Sequence, residues 1–115
     1  MPLLKLQVSA PVPESQRDEL LAALSKAVAS SVGKPEKYVM VTLAEGAAVM
    51  AGQAGPAAFA DVRSIGGLNG RVNNDLTKKV CALLHQFLGI PADRVYLTFT
   101  DVPAANWGWN SETFG

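Results

Sequence analysis

Two stretches of this chain repeat each other. Val32-Gly33-Lys34-Pro35-Glu36-Lys37-Tyr38-Val39-Met40-Val41-Thr42-Leu43 and Leu88-Gly89-Ile90-Pro91-Ala92-Asp93-Arg94-Val95-Tyr96-Leu97-Thr98-Phe99 carry Gly, Pro, Val and Thr at positions 56 residues apart. Each stretch reads as a helix end, a glycine stop, an X-Pro turn and then a strand. The correspondence extends backwards. Glu14 to Ser31 carries Leu20, Leu21, Leu24, Ala27 and Val28, a helical stripe with Pro13 near its start. The equivalent segment Gly70 to Phe87 carries Val72, Leu76, Val80, Leu83, Leu84 and Phe87. The strand Pro2 to Val8 maps onto Ala58 to Ser64.

The chain therefore reads as two β-α-β pseudo-repeats, about 2–55 and 58–110, within a single domain spanning 1–115. Each repeat pairs its strands in parallel through a right-handed crossover. The expected fold is α/β (α+β): a four-stranded mixed sheet with two helices on one face. Along the strands, Val95, Leu97 and Phe99 share one face and Tyr96, Thr98 and Thr100 the other. Val39, Val41 and Leu43 alternate in the same way with Met40, Thr42 and Ala44. Two helices cover one face only, so the second, partly apolar face needs cover, and self-association is the simplest source. The tail Asn106-Trp107-Gly108-Trp109-Asn110 is too aromatic for a solvated end. It is expected to form a short strand against a neighbouring subunit.

Charge and cysteine content exclude several function classes. Ten basic and ten acidic residues give a net charge of zero, so there is no basic stripe for nucleic acid and no polybasic arm for a membrane. A single cysteine, Cys81, leaves no intramolecular disulfide and no Cys-rich metal site. No apolar run approaches a transmembrane length, and no charged start followed by an apolar core marks a secretory signal. The default location is cytoplasmic, with export by a leaderless route left open.

The chemistry centres on the first residues, MPLLKLQV. Proline cannot donate to a strand ladder, so it is tolerated at a strand's first position. Met1 also precedes a small residue, the context in which initiator methionine is usually trimmed. Pro2 would then present a secondary amine, a real base. Burial and a nearby lysine such as Lys34 both disfavour its protonated form and bring its pKa toward the working range of a general base. Pro2 and Lys34 fall opposite Ala58 and Ile90 in the second repeat, so these two positions differ where the scaffold matches. Each has a structural alternative: Pro2 as a plain strand start, and Lys34 as a cation at a helix C-terminus. Cys81 and His85, four apart on a helix, read as packing residues and not as a catalytic pair. Ser64-Ile65-Gly66-Gly67 reads as a strand end whose N–H groups are free for an anion.

MPLL at the start, GKPEKY at 33–38, SIGG at 64–67, DRVYLTFTD at 93–101 and AANWGWNSETF at 104–114 together resemble the macrophage migration inhibitory factor family of the tautomerase superfamily. The resemblance covers nearly the whole chain and implies a homotrimer. It implies a catalytic Pro2. It implies a pocket between subunits lined by Lys34, Tyr38, Ser64, Ile65, Tyr96, Thr98, Trp107, Trp109 and Phe114, with the Ile65 backbone N–H contributing and Tyr96 supplied by a neighbour. The implied reaction is cofactor-free keto–enol tautomerisation of phenylpyruvate or 4-hydroxyphenylpyruvate, with dopachrome-type substrates as a further possibility. The partner is then a small enolisable keto acid.

The departures from the family pattern matter. Ala57-Ala58-Phe59-Ala60 stands where family cytokines have CxxC, which removes thiol–disulfide chemistry. Thr98 replaces asparagine, Trp107 a small aliphatic residue and Arg63 a histidine, and these changes bear on specificity. The alternative function is a cytokine-like signalling protein whose pocket is mainly structural, with its receptor undefined. Hydrolytic dehalogenation or decarboxylation ranks last, because it needs added polar residues to activate water.

Overall fold

The computed structural model describes residues 1–115. Strand β1 (Pro2–Val8) leads to helix α1 (Glu14–Val32), a short 3-10 turn (Glu36–Tyr38) and strand β2 (Met40–Glu45). After the β3 (Val49–Met50) and β4 (Gln53–Ala54) hairpin, the pattern recurs as β5 (Ala58–Ser64), α2 (Gly70–Leu88), a 3-10 turn (Ala92–Arg94) and β6 (Val95–Asp101). A final turn (Ala104–Asn106) precedes β7 (Gly108–Trp109) and β8 (Glu112–Thr113). The helices begin and end 56 residues apart, as the sequence repeat requires.

The main sheet has the order β2-β1-β5-β6. β1 pairs with β2 in parallel and β5 with β6 in parallel, so each repeat is one β-α-β unit. The two units join through the antiparallel pair β1·β5. In that register Lys5 lies opposite Asp61, its own equivalent in the other repeat. A local twofold axis therefore passes through the middle of the sheet.

The helices stop for the same reason in both halves. Gly33 and Gly89 adopt left-handed φ values of 73° and 67° and turn their N–H groups back onto the last helical carbonyls. Asn69 starts α2 by accepting a 2.9 Å bond from the Val72 N–H. The buried stripe of α1 is Leu20, Leu24, Val28 and Val32, and that of α2 is Leu76, Val80 and Leu84, the same spacing shifted by one repeat. Leu21, Val72, Leu83 and Phe87 lie at the edges of these stripes and are only partly buried. The stripes close on Leu4, Leu6 and Val8 of β1 and Ala60 and Val62 of β5 to form the core. Removing such aliphatic side chains from water stabilises by about 1.5–3 kcal/mol each. Cys81 packs at the edge of this core, and burial pushes its thiol pKa up, so it is held as a neutral packing group.

The opposite face of the sheet is bare. Met40, Phe59 and Tyr96 project from it, and Tyr96 is 66% exposed. The tail forms a short strand, as the sequence led us to expect, and within one chain β7 pairs with β8 in a two-residue hairpin. Asn110 and Ser111 both take positive φ there, the conformation such a tight turn demands. No helix is long and apolar enough to cross a membrane.

Candidate active site

Pro2 is fully buried at the head of β1, on the helix-facing side beside Ser64 of β5. A cleft of about 390 Å³ opens at this end of the sheet. It is walled by Met1, Pro2, Leu3, Tyr38, Trp107, Trp109 and Phe114. The tail hairpin supplies the aromatic wall. Trp109 meets Tyr38 edge-on at 5.8 Å and stacks on Phe114 at 5.9 Å, with ring planes 7° apart. The antiparallel hairpin and the 3-10 turn after α1 thus fix three rings around the strand that carries Pro2.

The nearest polar groups converge on the peptide that precedes Pro2. The Ile65 N–H donates to the Met1 carbonyl at 3.4 Å. The Met1 amine has its pKa lowered, first by burial and then by the charge of Lys34. Lys34 reaches this position because Gly33 ends α1 and because its side chain runs along the 64–67 loop. A Cβ built on Gly67 would lie 3.3 Å from Lys34 Cε. In this form the Pro2 nitrogen is a tertiary amide and carries no basic lone pair.

The 64–67 loop does not present two free donors as the sequence suggested. The Gly66 N–H is taken by Asp101 Oδ1 at 2.8 Å, and the Ile65 N–H by Met1. Ser64 is buried, and its hydroxyl donates to the Gly66 carbonyl at 2.7 Å. It shapes the loop and does not line the cleft.

Pro2, Tyr38, Trp107, Trp109 and Phe114 come together as expected, with Ile65 and Lys34 behind them. Tyr96 and Thr98 do not join them within one chain. Tyr96 pairs with Phe59, five residues or roughly 17 Å along β5 from Ser64, and lies in a different groove beside Val49 and Met50. Thr98 is exposed on the bare face, opposite Asp61. Sequence reasoning missed Lys37 and Met40, which also line the cleft. The signal was local, since Lys37 adjoins Tyr38 in the same 3-10 turn.

The family model described as macrophage migration inhibitory factor (MIF) matches residues 1–115. The chain belongs to the macrophage migration inhibitory factor family. Macrophage migration inhibitory factor of Xenopus laevis is 38% identical over 102 residues, covering 88% of this chain and 89% of that protein. The crystal structure of a family homologue from Prochlorococcus marinus is 44% identical, covers 98% of this chain and 99% of its own, and superposes with a TM-score of 0.92. The protein Pt0534, in its form inactivated by 2-oxo-3-pentynoate, is 27% identical with a TM-score of 0.85, covering 96% of this chain and 94% of its own. The two-repeat sheet with two helices is thus the MIF tautomerase fold.

Proposed function

We propose that this family member, once Met1 is removed, is a cofactor-free keto–enol tautomerase acting on aryl 2-oxo acids such as phenylpyruvate and 4-hydroxyphenylpyruvate. The observation that carries the reading is the convergence on the Met1–Pro2 peptide. The Ile65 N–H and Lys34 already address the atoms next to the Pro2 nitrogen, beneath an aromatic wall that fits an aryl ring. Removal of Met1 frees the amine and the Ile65 N–H together. The Pro2 nitrogen then takes a proton from the carbon beside the substrate ketone. The C–H pair becomes the enol C=C bond, and the carbonyl pair moves to oxygen. Lys34 and the Ile65 N–H hold the negative end, and the proton is delivered to the enolate oxygen. A base so placed contributes roughly 10²–10⁴-fold. The inactivation of Pt0534 by a 2-oxo acid supports this substrate class.

The working form in this reading is a homotrimer. Tyr96, Met40 and Val49 are 66%, 61% and 69% exposed, too much apolar surface for a lone domain. Tyr96 and Thr98 of a neighbour would complete the pocket. The name of the curated relatives, which describes an effect on macrophages, favours a second reading: a cytokine-like signal independent of the pocket.

The test combines intact mass, light-scattering mass and phenylpyruvate turnover on one preparation, beside Pro2→Gly. Trimmed trimer with turnover, lost in Pro2→Gly with the trimer intact, is the expected result. Full-rate turnover by a protein that retains Met1 would overturn the mechanism. A trimmed trimer without turnover would favour the signalling reading.

A further inference from the structure

Among the residues that line the cleft, one side chain is charged: Lys37. It is exposed at the rim, with Nζ 5.0 Å from the centroid of the Tyr38 ring. The two ion pairs of the chain are Arg63–Asp61 and Lys79–Asp75, so Lys37 has no carboxylate partner, although Glu36 is its neighbour in sequence. Lys34, three residues earlier, lies on the other side of Pro35 and acts at the Met1 amine. The 3-10 turn Glu36–Tyr38 is what separates the two cations, turning Lys37 outward beside the ring that faces Trp109. A substrate with one carboxylate requires one cation at the reacting end. This cleft carries a second, unpaired cation at its mouth, next to the ring wall.

We propose that Lys37 is a specificity residue that selects 2-oxo acids bearing a second anionic group at the end remote from the ketone, such as an aryl 2-oxo acid with a ring carboxylate. The inference rests on the tautomerase reading of the same site, with Lys34 and the Ile65 N–H at the ketone end. The remote carboxylate then meets Lys37 Nζ at the rim. There solvent weakens the attraction without abolishing it, and the Tyr38 ring under the ammonium helps to hold it at the rim.

The test uses the full-length, Met1-trimmed protein and two probes, phenylpyruvate and 4-carboxyphenylpyruvate. Dissociation constants come from quenching of tryptophan fluorescence, and KM from enolisation. The protein is expected to favour the dicarboxylate by about three- to fivefold. Lys37→Gln should erase that preference, Lys37→Arg should keep it, and 0.5 M salt should collapse it, because the Debye length then falls to about 4 Å. No preference in the unsubstituted protein, or an equal change for both probes in Lys37→Gln, overturns the proposal. Fluorescence preference without turnover sinks the tautomerase reading and keeps the selectivity of Lys37. Turnover without preference does the reverse.

Discussion

Arg94 is the most informative residue to remove outside the site. It sits in the 3-10 turn before β6, and its guanidinium donates to three backbone carbonyls of the preceding loop. The bonds run to Pro56 at 2.8 Å, Gln53 at 3.0 Å and Met50 at 3.2 Å. These bonds hold the β3–β4 hairpin, which otherwise has two register pairs and an exposed Val49. Arg94→Ala leaves the three carbonyls facing water and not stranded in the core, so the loss is the net worth of the bonds. At about 0.5–1 kcal/mol each, it totals about 1.5–3 kcal/mol. The hairpin buries little, so the loss should appear as local opening. Hydrogen exchange of the amides in 49–54 should accelerate by about tenfold to a hundredfold. Amides of β1 and β5, such as Leu6 and Val62, should change far less. Arg94→Lys, which keeps a charge but not the three-way fork, should fall between. Exchange in 49–54 within twofold of the unsubstituted protein would refute the idea that Arg94 pins this hairpin.

The remaining predictions touch the site and its supports. In the trimmed protein, burial and the Lys34 charge, which lower the pKa of the Met1 amine, should act on the Pro2 amine in the same direction and lower the pH limb it sets. Lys34→Ala should move that limb up, because removing a like charge lets the ammonium persist to higher pH; a downward or absent shift in a kcat/KM profile would contradict this. Gly67→Ala places a Cβ 3.0 Å from Val32 Cγ1 and its carbonyl, at a φ of +79°, and should cost about 2 kcal/mol in urea unfolding while shifting Lys34 and weakening substrate binding. Asn69→Ala removes the α2 cap and should cost about 1 kcal/mol, visible as a Tm lower by about 4 °C, with phenylpyruvate KM unaffected.

The repeat made most of the scaffold legible. Gly33 and Gly89 marked both helix ends, and the spacing of Leu20, Leu24 and Val28 against Leu76, Val80 and Leu84 marked both buried faces. The β3–β4 hairpin was not legible, because its turn is Ala51-Gly52 and Ala51 takes positive φ without the usual Asn or Asp. The self-pairing of β7 and β8 was hidden because Asn110 is followed by Ser111 at positive φ, where the usual turn has glycine. At the site, the aromatic residues were legible because the resemblance names their positions. Lys37 was not, since its place at the rim depends on a three-residue turn that no hydrophobic period reports. Tyr96 and Thr98 were placed by resemblance at a pocket between subunits, and alternation along β6 sends both to the bare face, outside the cleft of one chain.

The facing of Lys5 and Asp61 across the local twofold has a consequence for partner choice. Each half offers a strand that could pair antiparallel with a copy of itself from another chain. A β1·β1 pairing in the same register would set Lys5 against Lys5, and a β5·β5 pairing Asp61 against Asp61. Only when the first half meets the second do opposite charges lie across the ladder. One charge inversion between the duplicated strands thus opposes like-with-like pairing and directs each half toward its complement.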